Sequence, residues 1–160
     1  YHMQTAPFQK SPPNVRKVIF ATTIAETSVT LPDVTLVVDC GFVKQPYFDS
    51  KKGFERLLIT STSKSSAKQR AGRAGRTAPG KCFRLFTRDA SEQFDTRTPP
   101  EITRTSLSNF VLTLKTLGVD NIMSFDMLSS PSVNAMCFAL EELFARIALQ
   151  LDETHTEAPA

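Results

Sequence analysis

The residues Gln69-Arg-Ala-Gly-Arg-Ala-Gly-Arg76 hold the densest chemistry in this chain. Arg70, Arg73 and Arg76 stand three apart, with Ala-Gly pairs between them and a glutamine just ahead. On a helix, positions i and i+3 share a face, so this spacing predicts a row of guanidinium groups. Planar, permanently charged forks grip phosphate oxygens two at a time. Gln69 adds one donor and one acceptor, enough to hold a water. Alanine and glycine keep side-chain bulk out of the way. Glycine costs a helix about 1 kcal/mol against alanine, so the two glycines suit close approach better than helix stability. The competing reading is a basic, solvated helix that touches nothing in particular.

Charge distribution favours the first reading. The whole chain of 160 residues has a net charge of only +3. Between Lys64 and Arg88, however, stand eight Lys/Arg and no acid, whereas the remainder holds eleven bases and sixteen acids. One local basic patch points to a polyanion such as nucleic acid or a nucleotide's phosphates. Hydrophobic content of 41% and charged content of 22% suit an ordinary globular protein with room for a core. Cys40, Cys82 and Cys137 are scattered and odd in number. They fit neither a disulfide framework nor a metal-ligand spacing, and imply a reducing, intracellular setting and buried thiols. No apolar run approaches membrane-spanning length and no signal-peptide pattern is present, so no membrane partner is expected. The chain opens at Tyr1 without an initiator methionine and reads as part of something longer.

The elements that position the arginines follow from the pattern around them. Residues 1–16 are proline-rich and irregular, with Phe8 as an isolated aromatic. Lys17–Ala21 and Val34–Asp39 read as short buried strands, and their crossover predicts a parallel α/β sheet. Between them, Thr22-Thr-Ile-Ala-Glu-Thr-Ser-Val-Thr30 has five hydroxylic residues in nine. Such a loop offers hydroxyls and N–H groups to phosphate oxygens, or serves as a capping turn without a ligand. Glu26 could pin the loop or begin a helical turn. Phe42–Phe48 and Phe54–Thr60 flank Asp49-Ser-Lys-Lys-Gly53 and predict a hairpin whose tip carries Lys51 and Lys52. That tip either steers a nucleic-acid strand or is simply solvated. The arginine helix is expected to begin near Ser65 or Ser66 and to end by Arg76. Lys81–Phe86 alternates apolar and basic residues, as a strand with one face in the core does.

From Thr98 the chain reads as helical. Thr98-Pro-Pro-Glu101 has the form of a capping box. Leu107, Phe110, Val111, Leu114 and Leu117 make one apolar face that stops at Gly118. A second helix is expected from Ser130-Pro131, burying Ala135, Met136, Ala139, Leu140, Leu143, Phe144 and Ile147. From residue 117 on there are seven acids and one base, Arg146, so the polyanion patch is not here. The polar end is expected to be disordered over 151–160. His2 and His155, at the two ends, are assigned no catalytic role.

Ala21–Thr30 followed by Gln69–Arg76, with the hairpin between them, resembles motifs V and VI of the DEAH-box RNA helicases of superfamily 2. The likeness continues through Gly80–Phe86, Pro100–Leu107, Leu114–Gly118 and Ala139–Leu143. It covers about residues 3–150. The resemblance implies an α/β fold: a partial RecA-like parallel-sheet lobe over 1–90 with a β-hairpin insertion, a linker over 91–97, and a helical segment of winged-helix type from 98 to 150. It implies that Gln69 holds the attacking water or γ-phosphate of ATP and that Arg73 and Arg76 are arginine fingers. It also implies that Phe8 stacks on adenine, that Ser28 lies near the nucleotide, and that Thr22 and Thr27 contact the RNA backbone. The implied cofactors are ATP and Mg2+, the latter held mainly by a first RecA-like lobe in cis. The implied partners are RNA, that lobe and a glycine-rich-patch activator, in the nucleus sooner than the cytoplasm. Thr23 stands where the family commonly has Asn, Leu31-Pro32-Asp33 where many members have Ile-Asp-Gly, and Ala145-Arg-Ile-Ala148 where a Leu-Gly-containing turn is usual.

These 160 residues contain no Gly-x-x-x-x-Gly-Lys-Ser/Thr loop and no Asp-Glu-x-His stretch. The chain by itself is therefore expected neither to hydrolyse ATP nor to unwind RNA. Two other readings stand beside the helicase one. The first is a non-catalytic RNA-binding or adaptor module that keeps the basic patch. The second is a scaffold with a chance basic helix, which explains least.

Overall fold

A computed structural model describes residues 5–76 and 78–154, with side chains described through Arg146. The expectations for His2, Ile147, His155 and the tail beyond Thr154 lie outside the described residues or side chains. The chain divides into two compact units, residues 1–44 with 59–98 and residues 45–58 with 99–160.

The first unit is built on a parallel pair of strands. β1 (Leu36–Asp39) runs beside β4 (Lys81–Arg84), pairing Leu36 with Lys81 and Asp39 with Arg84. The parallel sheet of the α/β reading is present, but its partners differ from those expected. Among the described residues, Lys17–Ala21 forms no strand. Apolar composition alone cannot make a strand, because a strand's N–H and C=O groups need a neighbouring ladder. Phe20 is 97% exposed and Val18 70%, so the segment is not buried either. Gly80 leads into β4 because a Cβ there would fall on the Ala74 carbonyl oxygen.

Helix α1 (Ile24–Thr27) is a single turn within the hydroxylic loop. Helix α2 (Lys64–Ala71) begins at the Ser63 N-cap, whose hydroxyl accepts from the Ser66 N–H at 3.2 Å. The Lys64 and Ser65 N–H groups donate to the Asp95 and Thr96 carbonyls at 2.8 and 3.1 Å. Three of the orphan donors at this helix start are thereby satisfied. The stretch 88–97 contains helix α3 (Arg88–Glu92), and Phe94 packs its ring 5.1 Å from Phe86.

β2 (Phe42–Asp49) and β3 (Phe54–Ser61) form the expected hairpin. Its turn is closed by the Lys52 and Gly53 N–H groups donating to the Asp49 carbonyl. Lys51 and Lys52 are exposed at the tip.

The second unit contains the distal part of that hairpin with α4 (Ser108–Thr116) and α5 (Val133–Thr154). Leu107, Val111, Leu114, Ile122, Met136 and Ala139 form a buried apolar cluster, with Phe110, Ala135, Leu140 and Leu143 packed on it. Leu117 and Phe144 were expected on the buried faces and are instead 74% and 77% exposed. Leu117 is the residue at which α4 ends, so it no longer follows the helical stripe. Gly118 has φ +83, the left-handed stop that the sequence suggested. The capping box at Thr98 does not form. Glu101–Thr103 is a 3-10 turn without a side-chain cap, and the Thr98 hydroxyl bonds Ser63 instead, at 3.1 Å. α5 begins two residues later than Pro131, with Ser132 accepting from the Ala135 N–H.

Candidate functional site

The arginine octet does not lie on one helix. α2 ends at Ala71, and Gly72 to Gly75 continue as turns. The expected row of guanidinium groups is therefore broken at the end of the helix. The arginines still converge, because each reaches back to the hydroxylic loop. Arg70 meets Glu26, Arg73 meets Val29 and Arg76 meets Thr30.

Arg70 is the anchor of the three. Its Nε donates to Glu26 Oε2 at 3.0 Å, and its Nη1 donates to Asp39 Oδ1 at 2.9 Å and to the Phe42 carbonyl at 3.2 Å. The side chains are 14% exposed for Arg70, 11% for Glu26 and 0% for Asp39. Burial alone would push the Arg70 guanidinium down, but hydrogen bonds and charge from Glu26 and Asp39 more than offset it, so it is held above its ordinary value. Asp39 Oδ1 also accepts from the Gly41 N–H at 3.0 Å, while Oδ2 is buried without a partner. Gly41 has φ +78, and a Cβ there would meet the Phe86 ring at 2.5 Å. This position therefore needs glycine for both reasons.

Arg73 and Arg76 are held lightly. Arg73 Nη1 donates to the Val29 carbonyl at a long 3.4 Å, and its Nε is buried with no partner. Arg76 Nη1 donates to the Thr30 hydroxyl at 2.5 Å, and Arg76 and Gln69 are exposed. The structure thus brings Arg73 and Arg76 against the end of the hydroxylic loop. Thr22, Thr27 and Ser28 are exposed on that loop, and Thr27 and Ser28 share a hydroxyl contact of 3.4 Å. Asp33, in the place where many DEAH-box members have glycine, has φ +59, a conformation Asp tolerates better than most residues. Phe8 lies in a 3-10 turn at Ala6–Phe8, its ring half exposed.

Glu26 both pins the loop and sits in a helical turn, as the sequence suggested. Asp39 was missed. Its signal was weak: an acid closing an otherwise apolar strand just before Cys40-Gly41. The thiols were expected to be buried, but Cys40 and Cys137 are exposed; Cys82 is partly buried, and burial together with the Asp39 charge pushes its thiol up, away from nucleophilic use. Among the described residues, no group of three or more His, Cys, Asp or Glu could hold a metal ion. No helix among them is long and apolar enough to cross a membrane.

Residues 3–78 match the family described as the helicase conserved C-terminal domain. Over 148 residues the chain is 46% identical to the pre-mRNA-splicing factor ATP-dependent RNA helicase prp22 of Schizosaccharomyces pombe, covering 92% of this chain and 13% of that protein. Among solved structures, it is similar to the Escherichia coli DExH-box NTPase HrpB, with a TM-score of 0.82 and 34% identity over 89% of this chain and 18% of that one. A second structure, of the Escherichia coli DEAH/RHA helicase HrpB, gives a TM-score of 0.83 and 35% identity over 88% and 18%. The chain thus spans about an eighth of the curated relative. The α/β fold with its parallel sheet matches the RecA-like C-terminal lobe of these helicases.

Proposed function

This chain belongs to the DEAH-box RNA helicase family, and on that premise we propose that it supplies the transition-state arginines and part of the RNA contact of an ATP-dependent RNA helicase. Gln69 would hold the attacking water or the γ-phosphate. Arg73 and Arg76 would stabilise charge on the transferring phosphoryl group, a role worth orders of magnitude in rate. Phe8 would stack on the adenine, Ser28 would lie near the nucleotide, and Thr22 and Thr27 would contact the RNA backbone. A first RecA-like lobe in cis would supply the phosphate cradle and hold Mg2+. The segment from residue 98 on would begin a winged-helix domain, where a glycine-rich-patch protein could dock. The relative's role as a pre-mRNA-splicing factor favours RNA processing in the nucleus.

One observation carries this reading: Arg73 and Arg76 each spend one donor on a neutral acceptor and keep the rest of the guanidinium for a ligand, beside an exposed Gln69. Gln69 and Arg76 are exposed, and Arg73 keeps a buried, unpartnered Nε. A buried donor left unsatisfied costs about 1–3 kcal/mol, so this arrangement favours a ligand that brings acceptors. The neutral Thr30 hydroxyl on Arg76 is a weaker acceptor than a phosphate oxygen. The residues present therefore fit a nucleotide's phosphates.

Two measurements test the proposal. The pure 160-residue chain should show no RNA-stimulated phosphate release, and measurable release would overturn its assignment as one part of the machine. In the intact protein, Arg76→Lys should abolish turnover, because an ammonium cannot reproduce the bidentate fork. Near-normal turnover would remove Arg76 from the finger role and favour a non-catalytic RNA-binding module.

A further inference from the structure

We propose that Arg70 is a positioning residue that, with Glu26 and Asp39, makes the hydroxylic loop and the arginine turn move as one body, so that RNA held by the loop sets the placement of Arg73 and Arg76. The inference rests on the proposed function and deepens it.

The argument begins with connectivity. Glu26 lies 44 residues before Arg70, and Asp39 lies 31 before it. A single guanidinium therefore joins α1 in the loop, the C-terminal end of β1 and the last turn of α2. Through Nη1 it also holds the Phe42 carbonyl at the start of β2. Every one of these contacts is charge-assisted, the strongest class of hydrogen bond. All three side chains are nearly or fully withdrawn from water.

The contrast along the octet is equally informative. Arg70 makes three contacts to two carboxylates and a carbonyl, whereas Arg73 and Arg76 make one contact each, to a carbonyl and a hydroxyl. Those two contacts fall on Val29 and Thr30, just beyond Thr27 and Ser28. A shift of the loop therefore shifts the two residues that Arg73 and Arg76 lean on. With the latch closed, the shift is carried by rigid ion pairs. Without it, the polar side-chain contacts described between the loop and the arginine turn are the two weaker ones. Misplacement of about 1 Å can cost a reaction about 100-fold, so a small slip would suffice.

The test uses Glu26→Gln, Arg70→Gln and the double variant in the intact protein. Basal and RNA-stimulated ATP turnover are measured together with RNA affinity, and thermal unfolding confirms that each variant is folded. We expect the ratio of stimulated to basal kcat to fall by about 10- to 100-fold in each single variant. RNA affinity should change little, and the double variant should be no worse than Arg70→Gln, since residues acting as a unit are non-additive. Should Glu26→Gln fail to fold, Glu26→Asp, which keeps the charge and shortens the reach, carries the same comparison. Basal and stimulated rates falling in parallel, or an unchanged ratio, would overturn the latch while leaving the proposed function standing. A wild-type protein without RNA-stimulated turnover would overturn both.

Discussion

The two units of this chain are held together by different physics. The second has an apolar core of Leu107, Val111, Leu114, Ile122, Met136 and Ala139. In the first, the buried apolar residues are Ala67, Ala74 and Phe94, and beside them Asp39, Thr62 and Ser63 are buried too. Ion pairs and hydroxyl contacts fix what the apolar residues there do not. Apolar burial is non-directional and tolerates small displacements. Charge-assisted hydrogen bonds are directional, and removing one partner is costly. The unit that carries the candidate site is thus the one whose geometry is most sharply specified and least generously stabilised.

This contrast can be broken at several points. The largest effect is expected at the proposed fingers: Arg73→Ala with Arg76→Ala should lower turnover of the intact protein by about 1,000-fold or more. The midpoint of thermal unfolding should hardly move, because neither arginine makes a strong contact. A large fall in that midpoint would recast both as structural residues. Next comes the core of the second unit, where Leu107→Ala should cost about 2–5 kcal/mol in denaturant unfolding. A cost below about 1 kcal/mol would mean that the cluster is not what stabilises this unit. Third, Ser63→Ala should cost about 1 kcal/mol, since it removes the α2 cap and the hydroxyl partner of Thr98 and Ser65. An unchanged unfolding curve would deny the polar network its structural role.

The smallest effect concerns pH. Glu142 accepts from the Ser108 hydroxyl at 2.5 Å and from Arg146 Nη2 at 2.6 Å. The Ser108 hydrogen bond, and then that to Arg146, holds its carboxyl below the usual value. A lowered carboxylate pKa contributes stability above the unfolded value, and that stability is lost as pH falls through the folded one. Glu142→Gln should therefore lower stability slightly at neutral and basic pH, where that contribution is fully present, and flatten the acid limb, the two proteins converging as pH falls through the folded value. An identical acid limb in both proteins would contradict the assignment. Glu142 and Arg146 are partly solvated, which keeps the effect small.

How much of this was readable in advance follows the same division. The hairpin was legible because its turn residues and β-prone flanks are local signals. The apolar helix faces were legible at most positions and failed at Leu117, where α4 has ended, and at Phe144, which is exposed within α5, while the cap at Thr98 gave way to a tertiary contact with Ser63. The strand at Lys17–Ala21 was misread because a ladder partner is not a local property. The loop and the arginine octet were both visible as chemistry, but not their contact. Arg70 was misplaced into a row of three because its partners, Glu26 and Asp39, are distant in sequence. The helix end at Ala71 belongs with that error, since the octet was expected to stay helical to Arg76.

The central claim is that one octet holds two kinds of arginine, one that holds and two that act. The most direct test compares Arg70→Gln with Arg76→Gln in the intact protein, measuring thermal stability and RNA-stimulated ATP turnover side by side. Arg70→Gln should lower stability by about 3–5 kcal/mol, because it strands two buried carboxylates, and should lower turnover with it. Arg76→Gln should lower turnover by about 1,000-fold at unchanged stability. If the two variants lose stability and turnover alike, or if Arg76→Gln is the less stable, the division of labour is wrong.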